Sequence, residues 1–151
     1  MMIQPQWKSI WTALVYFCHN CGEIIFDGLL TGHLKRRGAN VKVVVRGAPI
    51  IKDATLEDAL FAGIDQHCTN ILPNTKGIAE LGYYLPYLPD ALHETLQSGT
   101  LIISKGMANY ESFSEFPIPS PVAYLMLVKC QPVADALGVP KSSRIALLRT
   151  E

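Results

Sequence analysis

The stretch Trp11-Thr-Ala-Leu-Val-Tyr-Phe-Cys-His-Asn-Cys-Gly-Glu-Ile-Ile-Phe-Asp-Gly28 decides the fold. It begins as an apolar run, breaks at Cys18, His19, Asn20, Cys21 and Gly22, and resumes at Glu23 with helical spacing. That order reads as a buried strand, a tight turn and the N-terminus of a helix. In an open α/β sheet, ligands bind beyond the carboxyl ends of the strands, beside helix N-termini. The turn after the first strand is therefore the expected site.

Outward from this stretch, strand and helix patterns alternate. Residues 1–9 read as an irregular lead-in and 11–17 as the first strand. A helix over 23–37 places Ile24, Ile25, Leu29, Leu30 and Leu34 on one face, and Gly38 stops it. The β-branched run 41–45 is a strand buried on both faces. After the loop from Arg46 to Ala54, a short helix spans 55–62, where Thr55 and Asp58 resemble a capping box. A short strand and polar turn fall within 66–78, and 82–89 is irregular. A helix over 89–97 is ended by Gly99. A strand at 100–104, a helical stretch at 107–114 and the prolines Pro117, Pro119 and Pro121 follow. A strand at 121–128, a helix at 132–137 and a strand at 144–148 complete the chain. The expectation is one α/β domain over 1–151, three-layered and Rossmann-like, with a mostly parallel sheet and right-handed crossovers.

Composition narrows the class. With 49% hydrophobic and 17% charged residues, this chain of 151 residues is globular, not disordered. Basic and acidic residues balance at 13 each with no basic run, so nucleic acid is not the expected partner. The longest apolar run, 10–18, is far short of the ~20 residues a membrane helix needs. No basic segment and small-residue cleavage site flank it, so the expected location is cytoplasmic and the four cysteines are expected as thiols.

Three strand-to-loop junctions carry chemistry: His19 and Asn20, then Asp53, then Lys105 with Gly106 and Asn109. In a parallel sheet these ends share one edge. A neutral imidazole, an amide oxygen and a carboxylate can hold a divalent cation with positions left for water and substrate. A lysine and a glycine-opened helix N-terminus suit a phosphate. Together they suggest phosphoryl chemistry with the metal as Lewis acid or activator of water. Each residue also has a plainer reading: His19 and Asn20 as turn residues, Asp53 as a helix cap, Lys105 as a solvated lysine, Glu23 as a charge suited to a first helical turn. A rival uses the same turn. Cys18 and Cys21 form a Cys-x-x-Cys between strand and helix, the arrangement of a thiol oxidoreductase whose helix lowers the first thiol's pKa. With His67 and Cys68 they could also make a zinc site.

The chain resembles the C-terminal α/β portion of the damage-control phosphatase family, first catalogued as domain of unknown function 89. Tyr16-Phe-Cys-His-Asn-Cys-Gly-Glu-Ile-Ile-Phe-Asp27 is similar to that family's Asp-Asn-x-Gly-Glu-x-x-Phe-Asp. Val43-Val-Val-Arg-Gly-Ala-Pro-Ile-Ile-Lys-Asp-Ala-Thr-Leu-Glu-Asp58 is similar to its Gly-x-Pro-x-x-Asn-Asp-x-Thr. Leu101-Ile-Ile-Ser-Lys-Gly-Met-Ala-Asn-Tyr-Glu111 is similar to its Lys-Gly-x-x-Asn-Phe-Glu, and Leu127-Val-Lys-Cys-Gln-Pro-Val-Ala-Asp-Ala-Leu-Gly-Val-Pro140 is a fourth match in order. The resemblance implies a metal-dependent phosphatase of small phosphorylated metabolites. It implies a metal at His19, Asn20 and Asp53, with the substrate phosphate at Lys105, Gly106 and Asn109. Asp53 and Lys105 would be the catalytic pair, with Glu23 nearby. Two departures stand out. His19 replaces the family's first Asp, which favours manganese, cobalt or nickel over magnesium. Lys52 replaces the family's Asn before Asp53. Family members carry a helical region ahead of this portion, which this chain is expected to lack, leaving apolar surface for a homo-oligomer partner. A relic that binds metal or phosphate without turnover is the alternative.

Overall fold

The computed structural model describes residues 12–97, 100–116 and 118–150. The lead-in, Trp11, Gly99 and Pro117 lie outside them. The strands are β1 (Ala13–Phe17), β2 (Asn40–Val45), β3 (Asn70–Pro73), β4 (Leu101–Lys105), β5 (Val122–Leu127) and β6 (Arg144–Arg149). They form one sheet in the order β3-β2-β1-β4-β5-β6. All neighbours pair in parallel except β5 and β6, which are antiparallel. The strand order runs one way from β1 to β3 and the other way from β4 to β6. This puts the switch point between β1 and β4, where an open sheet leaves a crevice at its carboxyl edge.

The helices are α1 (Ile24–Arg36), α2 (Leu56–Phe61), α3 (Asp90–Gln97), α4 (Met107–Glu115) and α5 (Gln131–Leu137). Alternating strand side chains feed two cores. Val15, Phe17, Ile102 and Tyr124 pack with Leu92 and Leu96 of α3, Phe113 of α4 and Val133 of α5. Leu14, Tyr16, Val43 and Ile103 pack with Ile24 of α1 and Ala59 of α2. The α/β class, the mainly parallel sheet and three layers follow the sequence reading. The Thr55–Asp58 capping box is present in full, and Gly38 leaves α1 at a φ of 93°. None of the described helices is long and apolar enough to cross a membrane.

Helix α1 corrects the sequence reading. Ile24, Ile25, Leu29, Leu30 and Leu34 do not share one face. Ile24 is buried, whereas Ile25, Phe26 and Leu29 are 60%, 70% and 68% exposed. The inward face is Asp27, Gly28, Thr31 and Gly32. Close approach explains the inversion: a Cβ at Gly32 would lie 2.9 Å from Nδ1 of His67, and one at Gly28 would lie 3.1 Å from the Ile64 side chain. Small residues must therefore face the protein. Asp27 must also face inward, because its partners lie on the sheet.

Candidate active site

Backbone hydrogen bonds lace the loop after β1 to the loop after β2. Cys21 N–H donates to the Lys52 carbonyl (2.9 Å) and Ala54 N–H to the His19 carbonyl (2.7 Å), and Asn20 and Asp53 form an isolated antiparallel bridge. His19, Asn20 and Asp53 are thereby brought together, as the convergence of strand ends anticipates. Arg46, at the end of β2, holds this assembly from beneath. Its Nε donates to Asp53 Oδ2 at 2.7 Å, and its Nη2 lies 2.6 Å from the same oxygen. Nη1 donates to the Gly82 carbonyl and to Asn109 Oδ1, each at 3.1 Å. Asn109 is wholly buried, and its Nδ2 donates to the carbonyls of Cys18 (3.1 Å) and Lys105 (2.7 Å). Both polar ends of Asn109 are thus committed to protein. What it contributes is the placement of β1, β2 and β4 relative to one another, not a free donor for phosphate.

The other half of the crevice is Lys105. Its Nζ lies 2.7 Å from Asp27 Oδ1 and 3.5 Å from Glu23 Oε2. The Tyr16 hydroxyl donates to the same Asp27 oxygen at 2.6 Å, so a strand, a helix and a second strand meet at one atom. Burial opposes the Lys105 charge, but the Asp27 hydrogen bond and the Asp27 and Glu23 carboxylates outweigh it and raise its pKa. Glu23 titrates below the ordinary carboxylate value. Burial again opposes the charge, and the Asn20 hydrogen bond (3.0 Å) with the Lys105 and His19 charges prevails. Burial first, then the Asp27 carboxylate and its hydrogen bond, push the Tyr16 hydroxyl far up.

His19 packs against Gly106, where any Cβ would collide with the imidazole ring. Burial lowers its pKa more than the Asp53 and Glu23 carboxylates raise it, so the ring is neutral in the fold. An unfolded chain binds more protons there below about pH 6.5, so this stability is present above that value and is lost as pH falls through it. The expected result is that urea unfolding midpoints fall more steeply below about pH 6.5 in the wild type than in His19→Gln. Parallel slopes would contradict the burial account.

The donor set fits a borderline divalent ion. His19 is neutral, so an imidazole lone pair is available. Asn20 turns its Nδ2 to Glu23, and its Oδ1 takes no hydrogen bond among the described residues. Arg46 occupies one oxygen of Asp53, and the other takes none among the described residues. One nitrogen with two oxygens, and one carboxylate already facing a guanidinium, suits nickel, cobalt, manganese or zinc better than magnesium. Asn20 is needed in this set, since among the described residues no three His, Cys, Asp or Glu side chains form a metal cluster. The rival reading is not favoured: Cys18 is buried, and burial with the Asp27 charge pushes its thiol well up, opposite to activation. A cleft of about 570 Å³ lies elsewhere, lined by Tyr110, Glu111, Val133 and Arg149, and none of His19, Asn20, Asp53 or Lys105 lines it.

Asp27 and Arg46 are site residues that sequence reasoning left unassigned. Asp27 stands four residues after Glu23, the spacing that puts two side chains on one helix face. Arg46 follows an apolar strand as Lys105 does. Only the first points to a site, since an arginine after a strand also reads as solvated.

Comparison with known proteins shows the family. The damage-control phosphatase ARMT1-like domain matches residues 2–145. A damage-control phosphatase of Archaeoglobus fulgidus is 44% identical over 133 residues, covering 88% of this chain and 45% of that protein. One from Pyrococcus horikoshii is 32% identical over 136 residues, covering 89% and 46%. The crystal structure of a DUF89 family protein from Pyrococcus horikoshii has a TM-score of 0.81 at 28% identity, covering 93% of this chain and 50% of that one. The chain spans about half the length of the relatives it matches.

Proposed function

The chain belongs to the damage-control phosphatase ARMT1-like domain family, and on that premise we propose that it hydrolyses phosphate monoesters of small metabolites with a divalent metal ion. The observation that supports this reading is the meeting of two halves across the β1–β4 switch point: His19, Asn20 and Asp53 on one side, Lys105 and the start of α4 on the other. A metal bound there supplies Lewis acidity and an activated water. His19, Asn20 and Asp53 would be its ligands. Arg46 fixes the Asp53 carboxylate, so its remaining oxygen is pre-aimed at no cost in reorganisation. Lys105 offers a cation to the phosphate, and Asp27 with Tyr16 sets where that ammonium stands. Gly106 opens α4 with no side-chain cap, which leaves first-turn N–H groups for a phosphate oxygen.

The test is hydrolysis of p-nitrophenyl phosphate with magnesium, manganese, cobalt and nickel in turn. Wild type is expected to work best with nickel, cobalt or manganese. Asp53→Asn is expected to lower kcat on the order of 100-fold, and Lys105→Met to raise KM more than it lowers kcat. His19→Asp, which adds a hard oxygen and a charge, is expected to move the preference toward magnesium. No hydrolysis by wild type or His19→Asp with any ion would overturn the reading. Binding without turnover is the second reading, favoured by the engagement of Lys105 with Asp27 and Glu23. Activity appearing only in His19→Asp would decide for it.

A further inference from the structure

The inverted helix α1 presents a surface that the phosphatase reading does not use. Ile25, Phe26, Leu29 and Leu30 face outward. Helix α2 continues the surface, with Leu60 53% and Phe61 94% exposed. The two helices lie on the same side of the sheet, where Ile24 of α1, Ala59 of α2 and Ile64 of the turn after α2 share one core. At these exposures the six side chains offer roughly 700 Å², above the ~300–600 Å² of the largest patch on a typical monomer. That is close to the ~800 Å² each partner buries in a standard interface.

The charges say which partner fits. Arg37 is exposed and follows His33 by four residues, so it extends the Phe26, Leu29 and His33 stripe at the far end of α1. Glu57, in the first turn of α2, precedes Leu60 and Phe61 by the same spacing at the opposite, carboxyl edge of the sheet. A surface that is basic at one end, acidic at the other and apolar between is its own complement under a two-fold axis. We propose that this chain pairs with a second copy of itself through the outward faces of α1 and α2. The two α1 helices run antiparallel, and Arg37 of each copy stands by Glu57 of the other.

The test is sedimentation equilibrium of the full chain from about 1 to 100 µM, the range in which a standard-sized interface without strong hot spots dissociates. A dimer is expected. Phe26→Asp and Leu29→Lys, each checked for intact helix content by circular dichroism, are expected to raise the dimer dissociation constant at least tenfold. Arg37→Glu is expected to weaken the dimer, and adding Glu57→Arg to restore it, a rescue that only a self-complementary surface predicts. A wild type that stays monomeric across the range would overturn the proposal and leave the surface to a different chain, such as the part of the relatives that this sequence does not span. A dimer indifferent to Phe26→Asp and Leu29→Lys would overturn it too. None of these outcomes depends on phosphatase activity.

Discussion

Replacing Arg46 by Met is expected to lower unfolding free energy by about 3–5 kcal/mol, the cost of removing one partner of a buried ion pair. Arg46 is 3% exposed and Asp53 8%. Met fills much of the volume but leaves Asp53 Oδ2 and Asn109 Oδ1 without their donors, and the Gly82 carbonyl with Asn74 Nδ2 alone. The uncompensated carboxylate dominates the loss, so Arg46→Met combined with Asp53→Asn should be milder than Arg46→Met alone. Arg46→Lys should fall between, because an ammonium keeps the charge but lacks the planar fork that reaches Asp53, Gly82 and Asn109 together. Urea unfolding at pH 7 measures all four proteins. A single-variant loss within about 1 kcal/mol would mean that the backbone lacing holds the loops without the guanidinium.

Gly106→Ala is expected to be nearly as damaging and to strike the site more directly. Gly106 sits at φ 79°, ψ 166°, a region that essentially only glycine occupies and that costs other residues about 1–3 kcal/mol. The new Cβ would also collide with the His19 ring, so the ring must leave its place beside Asn20 and Asp53. Nickel affinity, read by calorimetry, should fall at least tenfold, since a 1 Å displacement of a ligand breaks a pre-aimed set. Backbone strain and ring collision separate in a His19→Ala background. There Gly106→Ala should cost only the strain, so the two substitutions together should be less harmful than their sum. Full additivity would show that the ring has room to move.

The sheet was legible because its signals are local. The apolar run before Cys18, the β-branched run 41–45 and the run before Lys105 each announce a strand, and parallel pairing then sends their loops to one edge. The convergence of His19, Asn20, Asp53 and Lys105 on that edge was legible for the same reason. Arg46 was not, because an arginine after a strand reads as solvated. Its burial depends on Gly82 and Asn109, 36 and 63 residues away. Asn109 was legible as a candidate but not in its contacts, which the Arg46 guanidinium and the Cys18 carbonyl, 63 and 91 residues away, decide. Helix α1 misled because hydrophobic residues are counted before small ones. Gly28 and Gly32, four apart, mark the side where the backbone must approach its neighbour, and that requirement outranks the burial of Ile25, Phe26 and Leu29.

The lacing of the two loops runs through main-chain groups: the carbonyls of His19 and Lys52 and the N–H groups of Cys21 and Ala54. None of these bonds depends on which side chain stands at position 19. The frame that aims the site and the chemistry of the atom aimed are therefore separable parts. An imidazole or a carboxylate can be exchanged at that one position and meet the same neighbours in the same place. On the metal-dependent reading proposed above, a single substitution there would change the preferred ion without rebuilding the loops that present it.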